Sequence, residues 1–331
     1  MNKNEMLRGK RGCLAVMAIA FCLWVSGVEN VPAAEQNGFP NKTIKVIVPQ
    51  SPGGALDMEP RGFLPYLSKK LGVDMLIENM PGAGGKMGLS KCWKAKPDGY
   101  TLLYHGIPQS IMSEYLFQTE YKTNEFTHVF GLLSTNMVLL VHPDRWKTME
   151  EFLKFAREKT VVGGLPSPGS TSHICGLVSV DKLGMKVNWI PYNGSSEVLT
   201  GIAGKHLDFG IISTNSAQAM VAAGKLRPLM VYSEGVDQSF PDVPFPEKLG
   251  YKMTTMAAIR GFVAPPATPA KVVKILSDAM FSTVDNQNFV AWTKRVKLEI
   301  APLDGSKYLA ATKEQYATLE TYKRLFKNQN Q

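Results

Sequence analysis

The chain has 331 residues, four cysteines and a formal net charge of +9, spread without the Lys/Arg cluster and interleaved aromatics of a nucleic-acid surface. Once a targeting segment of 33 residues is set aside, 298 residues and a charge of +7 remain, enough for one large or two medium domains. So mild a positive balance suits an anionic small ligand without demanding one.

The targeting segment comes first. Lys3, Arg8, Lys10 and Arg11 precede an apolar stretch from Cys13 to Val25, and Val31-Pro-Ala33 offers small residues for cleavage near Ala33. The apolar stretch is short for a bilayer span, and Cys22 follows Phe21, where a lipoprotein signal wants a small residue. The segment marks an exported protein. No second long apolar run follows. Cys92 and Cys175 are left, each in a helical pattern far from the other, so two buried free thiols are expected rather than a disulfide.

Strands and helices then alternate. Ile44–Val48 reads as a strand, Met58–Leu71 as a helix with Phe63, Leu64, Leu67 and Leu71 on one face, Asp74–Glu78 as a strand, Lys86–Lys94 as a helix and Tyr100–Tyr104 as a strand. Further strands are expected at Val161–Gly164, Val187–Ile190, Leu207–Ile212 and Leu229–Tyr232, separated by helices at Thr171–Leu183, Glu197–Gly204 and Ala217–Ala223. The alternation predicts mostly parallel sheets covered by helices, with a second sheet in the second half. Met137–Val141 and Ala257–Ala264 flank that half and read as strands crossing between domains. The end is helical, at Pro269–Val284 and Ser306–Phe326, the latter with Leu309, Thr312, Tyr316, Leu319, Tyr322 and Phe326 as a packing stripe.

Catalytic signatures are missing: the sequence has no His-Glu-x-x-His, Gly-x-Ser-x-Gly, Walker loop or Cys-x-x-Cys, and its five histidines lack helical metal spacing. No catalytic residue, metal or cofactor is assigned. Gly82-Ala-Gly-Gly-Lys-Met-Gly88 misses the dinucleotide fingerprint by one residue and reads as a tight turn. Two other loops carry more. Val46-Ile-Val-Pro-Gln-Ser-Pro-Gly-Gly-Ala-Leu-Asp57 ends a strand with paired glycines and an aspartate able to cap a helix. Leu165-Pro-Ser-Pro-Gly-Ser-Thr-Ser-His173 does the same around Ser170. Each presents several N–H groups and the positive end of a helix dipole, the chemistry of an anion site. Either alone is equally an ordinary capped glycine turn; as a pair facing one cleft, they would clamp a carboxylate.

The segment Phe39–Asp57 strongly resembles the start of the Bug, or TctC-like, substrate-binding receptors of tripartite tricarboxylate transporters. Further matches follow in order: Glu78-Asn-Met-Pro-Gly-Ala-Gly-Gly85, Lys96-Pro-Asp-Gly-Tyr-Thr-Leu-Leu103, Gly169-Ser-Thr-Ser-His173, Pro191-Tyr-Asn-Gly-Ser195, Ala223–Leu229, Phe240-Pro-Asp-Val-Pro244 and Gly261–Pro269. The resemblance implies an α/β, two-domain periplasmic binding protein of type II-like architecture: two mixed sheets flanked by helices and joined by crossing strands. Domain one would hold 34–140 and 259–331, and domain two 141–258. It implies a non-enzymatic, monomeric receptor in the periplasm that holds a small organic carboxylate and delivers it to integral-membrane permease subunits. Sensing for a membrane signalling protein uses the same fold, and an exported enzyme acting on an organic acid is the remaining alternative.

By the same resemblance, ligand contacts fall on Ser51, Gly53, Gly54, Ala55, Leu56 and Asp57 in the first loop. In the second they fall on Gly169, Ser170, Thr171, Ser172 and His173. The chain departs from the family's usual pattern at Ile259-Arg260-Gly261, where an aromatic pair is common. Arg260 is there either an ion-pair partner for a second carboxylate or a solvated charge on a hinge strand. His105 either touches ligand or is a hydrogen-bonded structural histidine. Ser213, Thr214 and Asn215 either line the pocket or cap a helix.

Overall fold

The computed structural model describes residues 38–53, 55–166, 169–192, 194–296, 298–322 and 324–325. The targeting segment, Gly54 and Phe326 lie outside them. Among the described residues, no helix is long and apolar enough to cross a membrane.

The first sheet is built around β1 (Ile44–Val48), which pairs in parallel with β2 (Met75–Asn79) and β3 (Thr101–Ile107). The crossovers are α1 (Ala55–Leu71) and α2 (Lys86–Trp93). β3 runs three residues further than the sequence pattern suggests, through His105-Gly-Ile107, and α3 (Gln109–Leu116) follows it at once. β4 (Thr127–Thr135), absent from the sequence reading, is buried along most of its length on both faces, so it shows no alternation to detect.

After β4, the chain leaves the first sheet within one residue. Asn136 separates it from β5 (Met137–Val141), an interior strand of the second sheet that is antiparallel to both its neighbours. Asn136 is held there, its carbonyl accepting from the Thr214 N–H at 2.9 Å and its amide donating to Asp237 at 2.8 Å. The helix α4 (Met149–Glu158) opens with Thr148 accepting from the Glu151 N–H. β6 (Val161–Leu165) then pairs in parallel with β7 (Val187–Pro191) and β8 (Phe209–Ser213), linked by α5 (Thr171–Leu183) and α6 (Ser195–Ala203). α7 (Thr214–Ala222) leads to β9 (Arg227–Tyr232), giving the order β7-β6-β8-β5-β9.

The return strand β10 (Ala258–Ala264) inserts antiparallel between β3 and β4. Gly261 makes that insertion possible: a Cβ there would sit 2.3 Å from the Phe130 carbonyl oxygen and 2.7 Å from the Gly131 Cα. α8 (Ala270–Val284), α9 (Gln287–Val296), the short β11 (Leu303–Asp304) and α10 (Gly305–Thr321) complete the lobe, whose sheet runs β11-β4-β10-β3-β1-β2. α10 buries Tyr308, Thr312, Gln315 and Leu319, so its stripe leads with Tyr308 rather than Leu309. Both sheets are mixed and flanked by helices. One apolar cluster spans them, with Ile174, Leu177 and Val178 of α5 packed among Ile107, Ile111, Met112 and Met256. Cys92 and Cys175 are both free and buried.

Candidate functional site

The two glycine loops share one construction. Gly53 adopts φ 88° and Gly169 φ 73°, left-handed values that favour glycine. Each glycine N–H donates to the side chain four residues on, in the first turn of the following helix: Gly53 to Asp57 Oδ2 at 2.9 Å, and Gly169 to His173 Nδ1 at 3.0 Å. Asp57 and His173 are therefore turned back to brace their own loops. Both are buried, and neither belongs to the cavity wall described below.

In the first loop the brace is a network. The Asp57 carboxylate also accepts from Arg61 Nε and Asn79 Nδ2, each at 2.8 Å. Asn79, the last residue of β2, donates again to the Gln50 carbonyl at 3.0 Å and accepts from Arg61 at 2.9 Å. Residues 50–53 are thus tied to β2 and α1. Burial works to raise the Asp57 pKa, but the hydrogen bonds from Arg61, Gly53 and Asn79, with the Arg61 charge, hold it at about 2. In the second loop Ser170 caps α5, its hydroxyl accepting from the His173 N–H at 3.3 Å.

Between the loops lies a cavity of about 530 Å³. One side is Gln50, Ser51 and Pro52, with Gln109 at the start of α3; the other is Pro166, Ser170, Thr171 and Ser172 at the start of α5. Gly194 and Ser195 bring the start of α6, and Ser213 is the N-cap residue of α7. Met137, Ala258 and Arg260 close the floor. Four helices therefore present N-cap or first-turn residues to one space, each just past the carboxyl end of a strand (β3, β6, β7, β8). First-turn N–H groups have no partner within their helix, so such ends collect positive potential. Open α/β sheets place ligands beyond the carboxyl ends of their strands.

Arg260 is the only charged residue among the described lining of this cavity. It is not a solvated charge: its side chain is 25% exposed and pairs through Nη1 with Glu59 Oε1, on the inward face of α1. Glu59 also accepts from the Tyr104 hydroxyl at 2.9 Å. Burial drives the Glu59 pKa up, with Arg260 and Tyr104 opposing. Burial works against the Arg260 cation too, and Glu59 more than offsets it. Sequence reading missed Glu59. Its one signal is position, four residues before the core Phe63 on the same helix face.

A second chamber of about 330 Å³ adjoins the first, sharing Ser195, Ser213 and Arg260 as wall. Asn215 lines it, donating to Thr135 Oγ1 at 3.4 Å. Of the remaining expected residues, Leu56 and Thr214 are buried and line neither space, and Gly53 and Gly169 are also absent from both linings. His105 is turned into the core between Ser110 Oγ at 2.8 Å and the Tyr308 hydroxyl at 3.2 Å. Burial, and then the neighbouring His128, lower its pKa to about 3, so it is neutral. Gln50, Gln109 and Ser195 are wall residues that sequence reading did not single out. No group of three or more His, Cys, Asp or Glu residues able to hold a metal occurs among the described residues.

The sequence profile of the tripartite tricarboxylate transporter family receptor, TctC, matches residues 61–329. The chain belongs to this family. It is 30% identical over 291 residues to a UPF0065 protein in the gbd 5′ region of Cupriavidus necator, covering 85% of this chain and 86% of the relative. It is 27% identical over 245 residues to BugT of Bordetella pertussis, with coverage of 72% and 75%. Among solved structures, a TctC solute-binding protein from Polaromonas superposes with a TM-score of 0.76 at 27% identity, over 88% of this chain and all of the other. MatC from Rhodopseudomonas palustris, solved with bound malate, shares the fold at a TM-score of 0.71 and 24% identity, over 87% of this chain and 100% of MatC. The receptor is thus a TctC-type periplasmic solute-binding protein, in a family of receptors rather than enzymes.

Proposed function

We propose that this receptor captures a small organic carboxylate in the cavity between its two glycine loops and delivers it to integral-membrane permease subunits. The observation that carries the reading is the convergence of four helix N-terminal ends on one cavity whose sole described cation, Arg260, is already paired. A carboxylate there is recognised by N–H and hydroxyl donors from Ser51, Ser170, Thr171, Ser172, Ser195 and Ser213, without a dedicated basic partner. Charge-assisted hydrogen bonds contribute about 1.5–3 kcal/mol each. Four or five offset an association cost of order 4–15 kcal/mol and leave micromolar binding. The neighbours' ligands agree in kind: MatC was solved with malate, and another R. palustris relative of this fold with adipate.

Capture proceeds by closure of two lobes divided near residues 140 and 258, close to where the chain changes sheets. Ligand favours the closed state because only there do both loops reach it. The monomer acts in the periplasm after cleavage near Ala33, and performs no turnover. The test is calorimetric titration of the mature protein with mono-, di- and tricarboxylic acids, beside Ser170→Phe, which places a ring in the cavity at the cost of one helix cap, about 1 kcal/mol. Micromolar binding of an acid that disappears in the folded variant supports the clamp. Undiminished binding in Ser170→Phe overturns it.

A further inference from the structure

The second chamber differs from the first in chemistry. Its wall carries Met58 of α1, Trp292 and Val296 of α9, and Leu298. Met58 is 53% exposed and Val296 47%, which puts two of the chain's exposed large hydrophobic side chains at this one place. The polar groups that accompany them, Thr135, Ser195, Ser213, Asn215 and Ser216, are neutral. The only charges among its described lining residues are Glu59 and Arg260, which neutralise each other.

The apolar wall is built into the fold. Trp292 lies flat against α1 at Gly62, where a Cβ would meet the indole carbons at 1.9 and 2.1 Å. The indole also stacks on Phe289, with ring centroids 5.7 Å apart and planes 21° from parallel. Phe289 is itself fully buried against Phe63. Only glycine at 62 lets α1 accept the indole so closely, and this contact fixes the ring as chamber wall.

Resting on the carboxylate reading above, we infer that this chamber receives the uncharged, apolar body of a monocarboxylate whose head group lies in the first cavity. Arg260 stands at the junction but is held by Glu59, so it has no charge to give a second carboxylate. Such a group would instead meet the Glu59 carboxylate and an apolar wall, with only neutral hydroxyls and the Asn215 amide in place of its hydration. An alkyl or aryl tail meets Met58, Trp292, Val296 and Leu298 and gains by leaving water. The chamber size falls in the range of about 300–1,000 Å³ usual for small-molecule pockets.

The experiment is calorimetric titration of the mature receptor with propionate, butyrate, hexanoate and octanoate, with succinate, adipate and suberate in parallel. Each added methylene tightens binding about three- to fourfold until the chamber is full, and octanoate binds at least tenfold more tightly than suberate. Val296→Asp, at an exposed position ending α9, weakens octanoate at least tenfold and leaves propionate within twofold. A flat dependence on chain length, a suberate affinity equal to that of octanoate, or an unaltered octanoate affinity in Val296→Asp overturns the chamber assignment. If dicarboxylates bind tightly while octanoate does not, the chamber assignment falls and the receptor reading stands. If no acid of either series binds to folded protein, the carboxylate reading falls, and the chamber assignment with it.

Discussion

Replacing Asp57 with asparagine keeps the shape of the first-loop brace and removes its charge. The native carboxylate is held at about 2 against an ordinary 3.8, a gap that corresponds to about 2.5 kcal/mol at 1.36 kcal/mol per pKa unit. Arg61 is 45% exposed, so solvent screens the pair and the expected loss is about 1 kcal/mol. An acid with a depressed native pKa stabilises the fold fully above its unfolded value. That contribution is lost as pH falls from about 4 through 2. Urea denaturation at pH 7, 5 and 3 is the assay. Asp57→Asn should be less stable by about 1 kcal/mol at pH 7 and 5, and the gap should shrink to about half by pH 3. A gap that stays constant to pH 3, or widens, would refute the claim that the charge of Asp57 holds the loop.

Three further outcomes follow from the same geometry. Glu59→Gln strands Arg260 in a low-dielectric floor and should cost about 3 kcal/mol, whereas Glu59→Leu with Arg260→Leu together should recover most of it; a double-mutant coupling under about 0.5 kcal/mol would show that the pair is not a structural unit. Gly261→Ala drives a Cβ into the β4 backbone and should cost more than about 2 kcal/mol, while Gly235→Ala, with nothing within 4 Å, should stay within about 0.5 kcal/mol by the same denaturation curves. Burial pushes the Cys92 thiol well up and that of Cys175 to about 12, so a thiol-specific chromogenic disulfide should label neither until urea unfolds the chain, and rapid labelling of native protein would contradict their placement.

The loops were legible in sequence because their signal is local. A glycine before a helix start needs only its neighbours to be recognised, and Ser170 caps α5 as its position implies. The direction of the side chains was less legible. Asp57 and His173 read as ligand contacts beside those glycines, yet each is turned back onto its own loop by a hydrogen bond from the glycine N–H. Asn79, which joins that first brace to β2, sits in a recognised motif with nothing in the sequence to state its role. β4 and α3 escaped notice for a different reason. A strand buried on both faces and an eight-residue helix carry too little periodicity to separate from their surroundings.

Sequence alone determined the family, the alternation of strands and helices, and the position of both glycine loops, since each of these is written in short-range pattern and ordered motifs. Tertiary structure decided what those loops enclose. Glu59 and Arg260 are 201 residues apart and meet because β10 inserts between β3 and β4, beneath α1. Likewise, Trp292 becomes a chamber wall because α9 packs on α1 at Gly62. Both outcomes depend on sheet order and helix packing, which arise from burial summed over the whole chain rather than from any local pattern.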